Sequence, residues 1–191
     1  VFSRICRILQ LKGRVGYFCP GHLYMYVMDN GELRDDLNGF FRSFRHRQLD
    51  RSAAPVCPVC GRRGCIDSLL TYEATVHRYL NECGGKKEEN MPIHYYYGDI
   101  LSHSESGDPA ACKIIREDSL YTARVLVMMK NELHLDQVLL ANTTRLFHDF
   151  VLGEYRKLTG DPVPLLNFNS LTVADSAYAA AELMRLNFLD L

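Results

Sequence analysis

The sequence lacks both a long hydrophobic run and an excess of charge of either sign. No apolar stretch approaches the ~20 residues that a transmembrane helix needs, and no segment has the order of charged, apolar and small residues typical of a signal peptide. The 22 Lys and Arg residues nearly balance 23 Asp and Glu residues, for a formal charge of −1. The chain as a whole therefore has no electrostatic footprint for nucleic acid, and any DNA-binding part is expected elsewhere.

Internal repeats and low-complexity segments are also missing. The chain has 191 residues, of which 47% are hydrophobic, enough for a sizeable core and one or two domains. We therefore expect a globular protein without a membrane partner, with the cytoplasm as its default location. The sequence opens at Val1 rather than at a methionine and soon becomes strand-like, so we expect a fragment of a longer protein.

The number and placement of the cysteines argue against a disulfide framework. The sequence has seven, an odd number, and four of them, Cys6, Cys19, Cys83 and Cys112, are scattered along the chain. This usage is typical of reduced thiols.

The other three cysteines form a compact cluster, Cys57-Pro-Val-Cys60-Gly-Arg-Arg-Gly-Cys65, and His46 lies a short loop upstream. Three thiolates and an imidazole are a tetrahedral zinc donor set, and a closed set of four ligands is structural because no position remains for water. The glycines between Cys60 and Cys65 permit the tight turns that bring several sulfurs to one ion. We therefore predict a structural zinc ion held by His46, Cys57, Cys60 and Cys65.

Two alternatives to this zinc site remain. The cysteines could form a disulfide or a redox CxxC pair, but such a pair normally opens a helix after a strand, and no strand-like sequence precedes Pro55 and Pro58. Any of the seven histidines could also supply the fourth ligand in place of His46.

Hydrophobic periodicity and turn residues predict an antiparallel meander followed by alternating helices and strands. Asp29-Asn30-Gly31 marks a tight hairpin turn, and Asp108 with Pro109 marks a helix start. We predict strands at 15–18, 23–28, 136–141 and 163–167, a loop at 38–58, and helices at 66–84, 95–103, 109–134, 144–158 and 174–186. This order favours a mixed sheet with helices packed against it.

A basic and aromatic run lies in the predicted loop. Arg42, Arg45 and Arg47 alternate with phenylalanines at positions 40, 41 and 44. We interpret the run as a solvated rim over a partial core in preference to an anion site.

The cysteine cluster and its surroundings resemble the ROK family of sugar kinases and sugar-responsive repressors. The resemblance rests on His46, on Cys57 to Asp67, and on Ser106-Gly-Asp-Pro-Ala-Ala111, with weaker matches at Leu133 to Leu140 and Ala177 to Ala181. It implies an α/β fold of the actin-like, ribonuclease-H-like ATPase type, with a mixed sheet flanked by helices and an inserted zinc-knuckle loop at about 38–66. Residues 1–191 would form the carboxy-terminal part of such a protein.

Departures from the family pattern argue against kinase activity. Nothing before Val15 supplies the family's first phosphate loop or its catalytic aspartate, the general base for a sugar hydroxyl. The glycine-rich turn expected near ATP phosphates reads Pro20-Gly-His-Leu-Tyr24, and Ala141-Asn142 replaces a later glycine pair. Bulky side chains would obstruct a close approach of phosphates. We therefore predict no catalytic residues in this chain.

The family's sugar contacts are altered here. They would come from a Glu and a His in a GEIGH-like segment and from a Glu after the last cysteine. The corresponding residues are Ser43, His46 and Asp67, so one carboxylate is lost and the other is shorter by one methylene. Weak or altered sugar binding by these three residues is one interpretation. The other is that Ser43 and Asp67 are simply loop and helix-start residues.

We thus interpret the chain as the effector-sensing and oligomerisation portion of a ROK-like transcriptional regulator with structural zinc. The resemblance implies a carbohydrate effector, a homo-oligomer, and DNA binding only through a helix-turn-helix domain absent from this chain. One alternative is the sugar-binding half of a ROK-type kinase, which phosphorylates a hexose with ATP. Another is a self-standing zinc-bound interaction module.

Overall fold

The computed structural model describes residues 12–53, 55–85, 92–140, 144–160 and 165–167. These residues contain five strands, a 3₁₀ turn (Asp35–Leu37) and six α-helices. The strands are β1 (Arg14–Cys19), β2 (Tyr24–Asp29), β3 (Glu32–Leu33), β4 (Gln137–Leu140) and β5 (Leu165–Asn167). The helices are α1 (Asn38–Phe44), α2 (Ile66–Leu70), α3 (Tyr72–Cys83), α4 (Ile93–Glu105), α5 (Pro109–Leu133) and α6 (Arg145–Thr159).

The five strands form one mixed sheet in the order β3-β2-β1-β4-β5. β1 pairs antiparallel with β2, which sets Tyr17 opposite Tyr26, and parallel with β4, which sets Gly16 beside Val138. β3 is antiparallel to β2, and β5 is parallel to β4. The predicted mixed sheet flanked by helices is therefore confirmed.

Local signals in the sequence explain where the helices begin and end. The Asp108 side chain accepts a hydrogen bond from the N–H of Ala111 and caps α5, whose first residue is Pro109. Thr144 caps α6 in the same way, and Gly160 ends it in the left-handed conformation, with φ of 70°. None of the helices in the described ranges is both long and apolar enough to cross a membrane.

The main core lies between one face of the sheet and the long helices α5 and α6. Alternate strand residues face this core, because successive side chains of a strand point to opposite faces. Its fully buried members include Phe18, Val27, Leu140, Ile115, Leu126, Met129, Val151 and Tyr155. Burial of such side chains stabilises the fold by roughly 1.5–3 kcal/mol each.

The loop predicted at 38–58 is wrong in its first part, because Asn38–Phe44 forms α1. Phe41 and Phe44 are spaced by three residues and lie on the same face of that helix, and both are buried. The polar residues between them, Arg42 and Ser43, hid this apolar face from the sequence pattern. The aromatic side chains therefore form part of the core, as predicted, but they do so from a helix.

The single helix predicted at 66–84 is interrupted at Thr71. Thr71 is extended, with φ of −73° and ψ of 152°, and its side chain caps α3 by accepting a hydrogen bond from the N–H of Ala74. The Thr71 backbone also forms an isolated bridge with Gly21 in the turn between β1 and β2. The Thr71–Gly21 bridge therefore attaches the junction of α2 and α3 to the turn between β1 and β2. The helix predicted at 174–186, the residue Cys6 and the pair Ala141-Asn142 lie outside the described residues.

A buried ion pair joins α2, α3 and α5. The Arg78 guanidinium pairs with Asp118, donates to Glu117 Oε2 at 2.9 Å and donates to the carbonyl oxygen of Leu69 at 2.9 Å. The Thr75 hydroxyl donates to Asp118 at 2.6 Å. Asp118 is only 2% exposed, so its charge depends on these partners rather than on water.

We expect Asp118→Ala to lower the free energy of unfolding by about 3–5 kcal/mol, because it leaves the Arg78 guanidinium without its buried counter-charge. The matched control is Glu117→Ala. Glu117 also pairs with Arg78, but its side chain is 38% exposed, and its loss should cost about 1 kcal/mol or less. Urea unfolding followed by circular dichroism measures both variants. Equal losses would contradict the role assigned to the buried pair.

Candidate metal centre

Two short stretches of backbone pairing shape the loop between α1 and α2, which we call the knuckle (residues 46–65). Isolated bridges join Gln48 to Cys65 and Val56 to Arg63. The N–H of Leu49 donates to the carbonyl of Gly64 at 2.8 Å, and the N–H of Gly64 donates to Pro55 at 3.0 Å. The knuckle is thus folded back on itself, and its two ends are held together.

Gly64 has a steric role in this loop. Its φ is +60°, a conformation that side chains disfavour, and a Cβ atom here would overlap the carbonyl oxygen of Asp50. Gly61 also has a positive φ, of +69°, but no atom lies within 4 Å of the position its Cβ would take. The close approach of two backbone segments therefore requires glycine at position 64. At position 61 glycine is favoured only by the positive φ of the turn.

The structure brings the four predicted ligands together. The side-chain donor atoms of His46, Cys57, Cys60 and Cys65 all lie within 4.8 Å of one another. His46 Nδ1 lies 3.7 Å from Cys57 Sγ, and Cys60 Sγ lies 4.0 Å from Cys65 Sγ. A tetrahedron built on zinc–thiolate bonds of about 2.3 Å has edges of about 3.8 Å. The cluster therefore fits a tetrahedral metal ion.

The disulfide alternative does not fit these distances. A disulfide requires sulfur atoms about 2.05 Å apart, and all six cysteines in the described ranges are free. The CxxC pair also has no strand before it, since α1 and the knuckle bridges precede Cys57.

The electrostatic surroundings of the thiols differ within the cluster. Burial raises the pKa of the Cys57 thiol to about 11, whereas a hydrogen bond from the backbone N–H of Arg62 lowers the pKa of Cys60. A thiolate buried without a counter-charge is costly. A divalent cation among the three sulfurs would offset that cost, so this donor set suits a metal ion better than free thiols.

The residues predicted to contact sugar do not all converge. Asp67 lies beside the His/Cys cluster, with Oδ2 3.8 Å from Cys57 Sγ, while its Oδ1 accepts hydrogen bonds from Arg45 at 2.6 and 3.0 Å. His46 belongs to the cluster itself. Ser43 is exposed on α1, and its hydroxyl donates to the carbonyl of Phe40 at 2.9 Å. His46 and Asp67 thus share one neighbourhood, and Ser43 lies at its edge.

Two features of this region are not evident from the sequence. Arg45 orients Asp67, a pairing across 22 positions that no local pattern indicates. In addition, the knuckle and α3 enclose a groove of about 1030 Å³. Its lining includes Arg45, Val56, Val59, Asp67 and His77. The sequence did offer one signal for the groove, since the spacing of Glu73, His77 and Asn81 places all three on one helical face.

The turn between β1 and β2 is filled by side chains. Gly21 has φ of +82°, and a Cβ at this position would overlap the ring of Tyr72. Its N–H donates to the carbonyl of Leu70 at 2.9 Å, and its carbonyl accepts from the N–H of Tyr72 at 3.2 Å. The His22 ring packs on Tyr72 and Tyr24, with centroids 4.7 and 5.3 Å away. Both backbone hydrogen-bonding groups of Gly21 are therefore engaged within the protein.

Comparison with known proteins gives a sequence family. The family model described as "ROK family" matches residues 25–164, which is most of the chain. A comparison with curated protein sequences finds no significant match.

Solved structures of low sequence identity share the fold. A ROK hexokinase from Thermus thermophilus superposes with a TM-score of 0.65 at 19% identity, over 83% of this chain and 52% of that chain. A ROK family protein from Streptococcus pneumoniae TIGR4 in complex with sucrose gives 0.64 at 11% identity, over 86% and 55%. A ROK family transcriptional regulator, a homologue of the E. coli MLC protein, gives 0.58 at 15% identity, over 81% and 41%.

The chain spans about half the length of these structures. At such low identity the likeness shows the fold alone, and the predicted actin-like ATPase fold is confirmed. The neighbours include both kinases and a regulator, so the fold is common to both classes.

We expect Gly64→Ala to disrupt the knuckle, because the new Cβ overlaps the Asp50 carbonyl and the residue must keep a positive φ. Gly61→Ala is the matched control, since it meets the same backbone strain, about 1 kcal/mol, without an overlap. Metal content by mass spectrometry and the melting temperature of each variant provide the measurement. Full metal content in Gly64→Ala with an unchanged melting temperature would contradict the steric role.

Proposed function

Because this chain belongs to the ROK family, we propose that it is the effector-sensing and oligomerisation portion of a ROK-like transcriptional regulator. In this proposal the chain is not an enzyme. It holds a structural zinc ion, and it carries a vestigial or altered sugar pocket beside that ion. The proposal concerns a chain that covers about half of the length of its structural neighbours.

The donor set supports zinc as the metal. Three thiolates with one imidazole suit zinc, and four protein ligands leave no open position for catalysis. When bound, the ion supplies a structural cross-link and lends no reactive water. His46, Cys57, Cys60 and Cys65 would hold it, and the following residue, Ile66, begins α2.

The observation that carries the choice of regulator over kinase is the filled turn between β1 and β2. In the family resemblance this turn corresponds to a glycine-rich segment that approaches ATP phosphates. Here Tyr72 occupies the space above Gly21, and the N–H of Gly21 is bonded to Leu70 rather than free to bind a phosphate oxygen. Backbone N–H groups are the usual ligands of phosphate in such turns. This arrangement supports a chain that does not bind nucleotide.

The sugar pocket would use His46 and Asp67, with Ser43 at its edge. His46 turns Nδ1 toward the cluster, so binding of a metal through Nδ1 leaves the hydrogen on Nε2 and makes that atom a donor to a hydroxyl group. Asp67 could accept hydrogen bonds from hydroxyl groups, but Arg45 already occupies its Oδ1. A carbohydrate effector would therefore bind through a set that is smaller than the family's own.

The alternative function is the sugar-binding half of a ROK-type kinase, with ATP-dependent transfer of phosphate to a hexose. The similarity in fold to a ROK hexokinase favours it. In that case the catalytic aspartate and the first phosphate loop would lie in a segment outside this chain.

The partners proposed for the regulator follow from its class. The chain would form a homo-oligomer through the helices after the knuckle, and it would reach DNA only through a helix-turn-helix domain outside this chain. None of the six cysteines in the described ranges is in a disulfide. This is typical of a reducing compartment, and on this ground we assign the protein to the cytoplasm.

The metal assignment predicts about one zinc ion per chain and a loss of both zinc and stability in Cys60→Ser, because structural zinc contributes folding free energy directly. Cys83→Ser is the matched control, since Cys83 is exposed and lies at the end of α3. Zinc is measured by mass spectrometry and stability by thermal unfolding. Unchanged zinc content and melting temperature in Cys60→Ser would show that the ligand assignment is wrong.

The regulator proposal predicts binding of a hexose or amino sugar without binding of ATP. One of these sugars should raise the melting temperature of the wild type, and this shift should disappear in Asp67→Ala. It should persist in the control, Asp136→Ala, because Asp136 lies where β4 begins, at the end of the sheet away from the β1–β2 turn. A non-hydrolysable ATP analogue should give no shift, because the β1–β2 turn is filled. A shift with the ATP analogue would favour the kinase alternative, and no shift with any common hexose or amino sugar would remove the support for effector sensing.

A further inference from the structure

The outer end of the knuckle exposes a contiguous apolar surface. We call this surface the knuckle tip and define it as residues 55–59. Val56 is 52% exposed and Val59 is 72% exposed, and both line the groove together with Pro55 and Pro58. Single exposed apolar residues are ordinary. Three neighbouring exposed ones, Val56, Pro58 and Val59, on one loop beside a groove are typical of an interaction surface.

The knuckle and the end of α1 also carry a strong local charge. Residues 42–63 contain six arginines and a single aspartate, which leaves a formal charge of +5 in a chain whose total is −1. Three thiolates around one divalent ion would lower this local charge by only one. The positive charge is therefore concentrated on this one loop, and the rest of the chain is acidic.

Some of these arginines are neutralised and some are available. Arg45 pairs with Asp67, and Arg47 pairs with Glu132. Arg42, Arg51 and Arg62 are exposed, and no carboxylate in the described part of the chain lies within ion-pair distance of them. The available guanidinium groups therefore include two, Arg51 and Arg62, that lie within the knuckle itself.

We propose that the knuckle tip docks an acidic, aliphatic segment of a partner protein. Aliphatic side chains of that segment would cover Val56 and Val59, and its carboxylates would pair with Arg51 and Arg62. An apolar centre with a charged rim is the usual anatomy of a protein interface, and arginine is enriched there. The surface is small, so the complex belongs with weak, transient contacts. This docking proposal depends on the proposed zinc in one respect, which is that the ion would hold the knuckle in the conformation that presents Val56 and Val59.

The aromatic residues near the knuckle favour a protein over a single-stranded nucleic acid. Base recognition in single strands depends on exposed aromatic rings that stack on the bases. Phe41 and Phe44 are buried, and the Arg47 guanidinium lies over the rings of Phe40 and Phe44, 5.8 and 5.4 Å from their centroids. The exposed apolar groups at the tip are aliphatic. The charge attracts any anion, but the apolar surface selects a protein.

The test uses the zinc-loaded chain and a synthetic peptide of about 15 residues that alternates Glu and Leu. Fluorescence anisotropy measures its binding to the wild type, to Val59→Ser and to Arg62→Glu. The control is Arg156→Glu, an exposed arginine on α6. We expect the peptide affinity to fall about tenfold or more in Val59→Ser and in Arg62→Glu, and to stay unchanged in Arg156→Glu. The affinity of the wild type should also fall as the salt concentration rises from roughly 0.05 to 0.5 M.

Each other outcome overturns the proposal. These outcomes are no binding of the peptide, equal binding by Val59→Ser, equal binding of a peptide in which Ser replaces Leu, and equally tight binding of a single-stranded thymidine oligonucleotide. Self-association of the wild type that Val59→Ser abolishes, measured by sedimentation, would assign the tip to a second copy of the chain and also overturn it. Zinc content and melting temperature are measured for every variant. A wild type without zinc would refute the metal assignment, whereas the docking proposal is decided by the peptides alone.

Discussion

The constraint on which this structure depends is the convergence of four side-chain donors that come from both ends of one irregular loop. Without a cross-link, the knuckle would be held by a few backbone hydrogen bonds and two isolated bridges. The N–H groups of Ile66 and Asp67 donate to the carbonyls of Arg47 and Arg45, at 3.0 and 2.9 Å. The start of α2 is therefore defined by the same residues that surround the cluster.

From the cluster, a continuous series of contacts reaches the sheet and the long helix. α2 follows Cys65 directly, and the next residue after α2, Thr71, is bridged to the turn between β1 and β2. Arg78 bonds the carbonyl of Leu69 in α2 and the carboxylate of Asp118 in α5. The turn at Gly21, the His/Cys cluster and the buried ion pair are thus connected by direct contacts, and Tyr72 of α3 lies in the turn that the family resemblance associates with nucleotide.

Much of the fold could be predicted from the sequence because its signals are local. Helix ends are marked by residues whose hydrogen bonds span only a few positions, namely Asp108 with Pro109, Thr144 and Gly160. The close spacing of three cysteines likewise indicates a shared site. Two of the features that the sequence does not predict have a non-local cause. Thr71 breaks its helix because Gly21, fifty positions earlier, offers a backbone partner, and Arg45 reaches Asp67 only after the knuckle has folded. The α1 helix was missed because its buried face consists of two phenylalanines among basic residues.

The four residues of the His/Cys cluster are close in sequence, whereas the strands of the sheet are not. His46 and Cys65 enclose a short loop, but β1 must pair with β4, which sets Val15 beside Gln137. Contacts between distant positions form slowly, since the chain must first lose the entropy of a long loop. During synthesis on the ribosome, which releases the chain from its amino terminus, the knuckle is complete before β4 emerges. A metal ion bound by this cluster would therefore be captured before the sheet closes, and the knuckle would then be in place before the later helices pack.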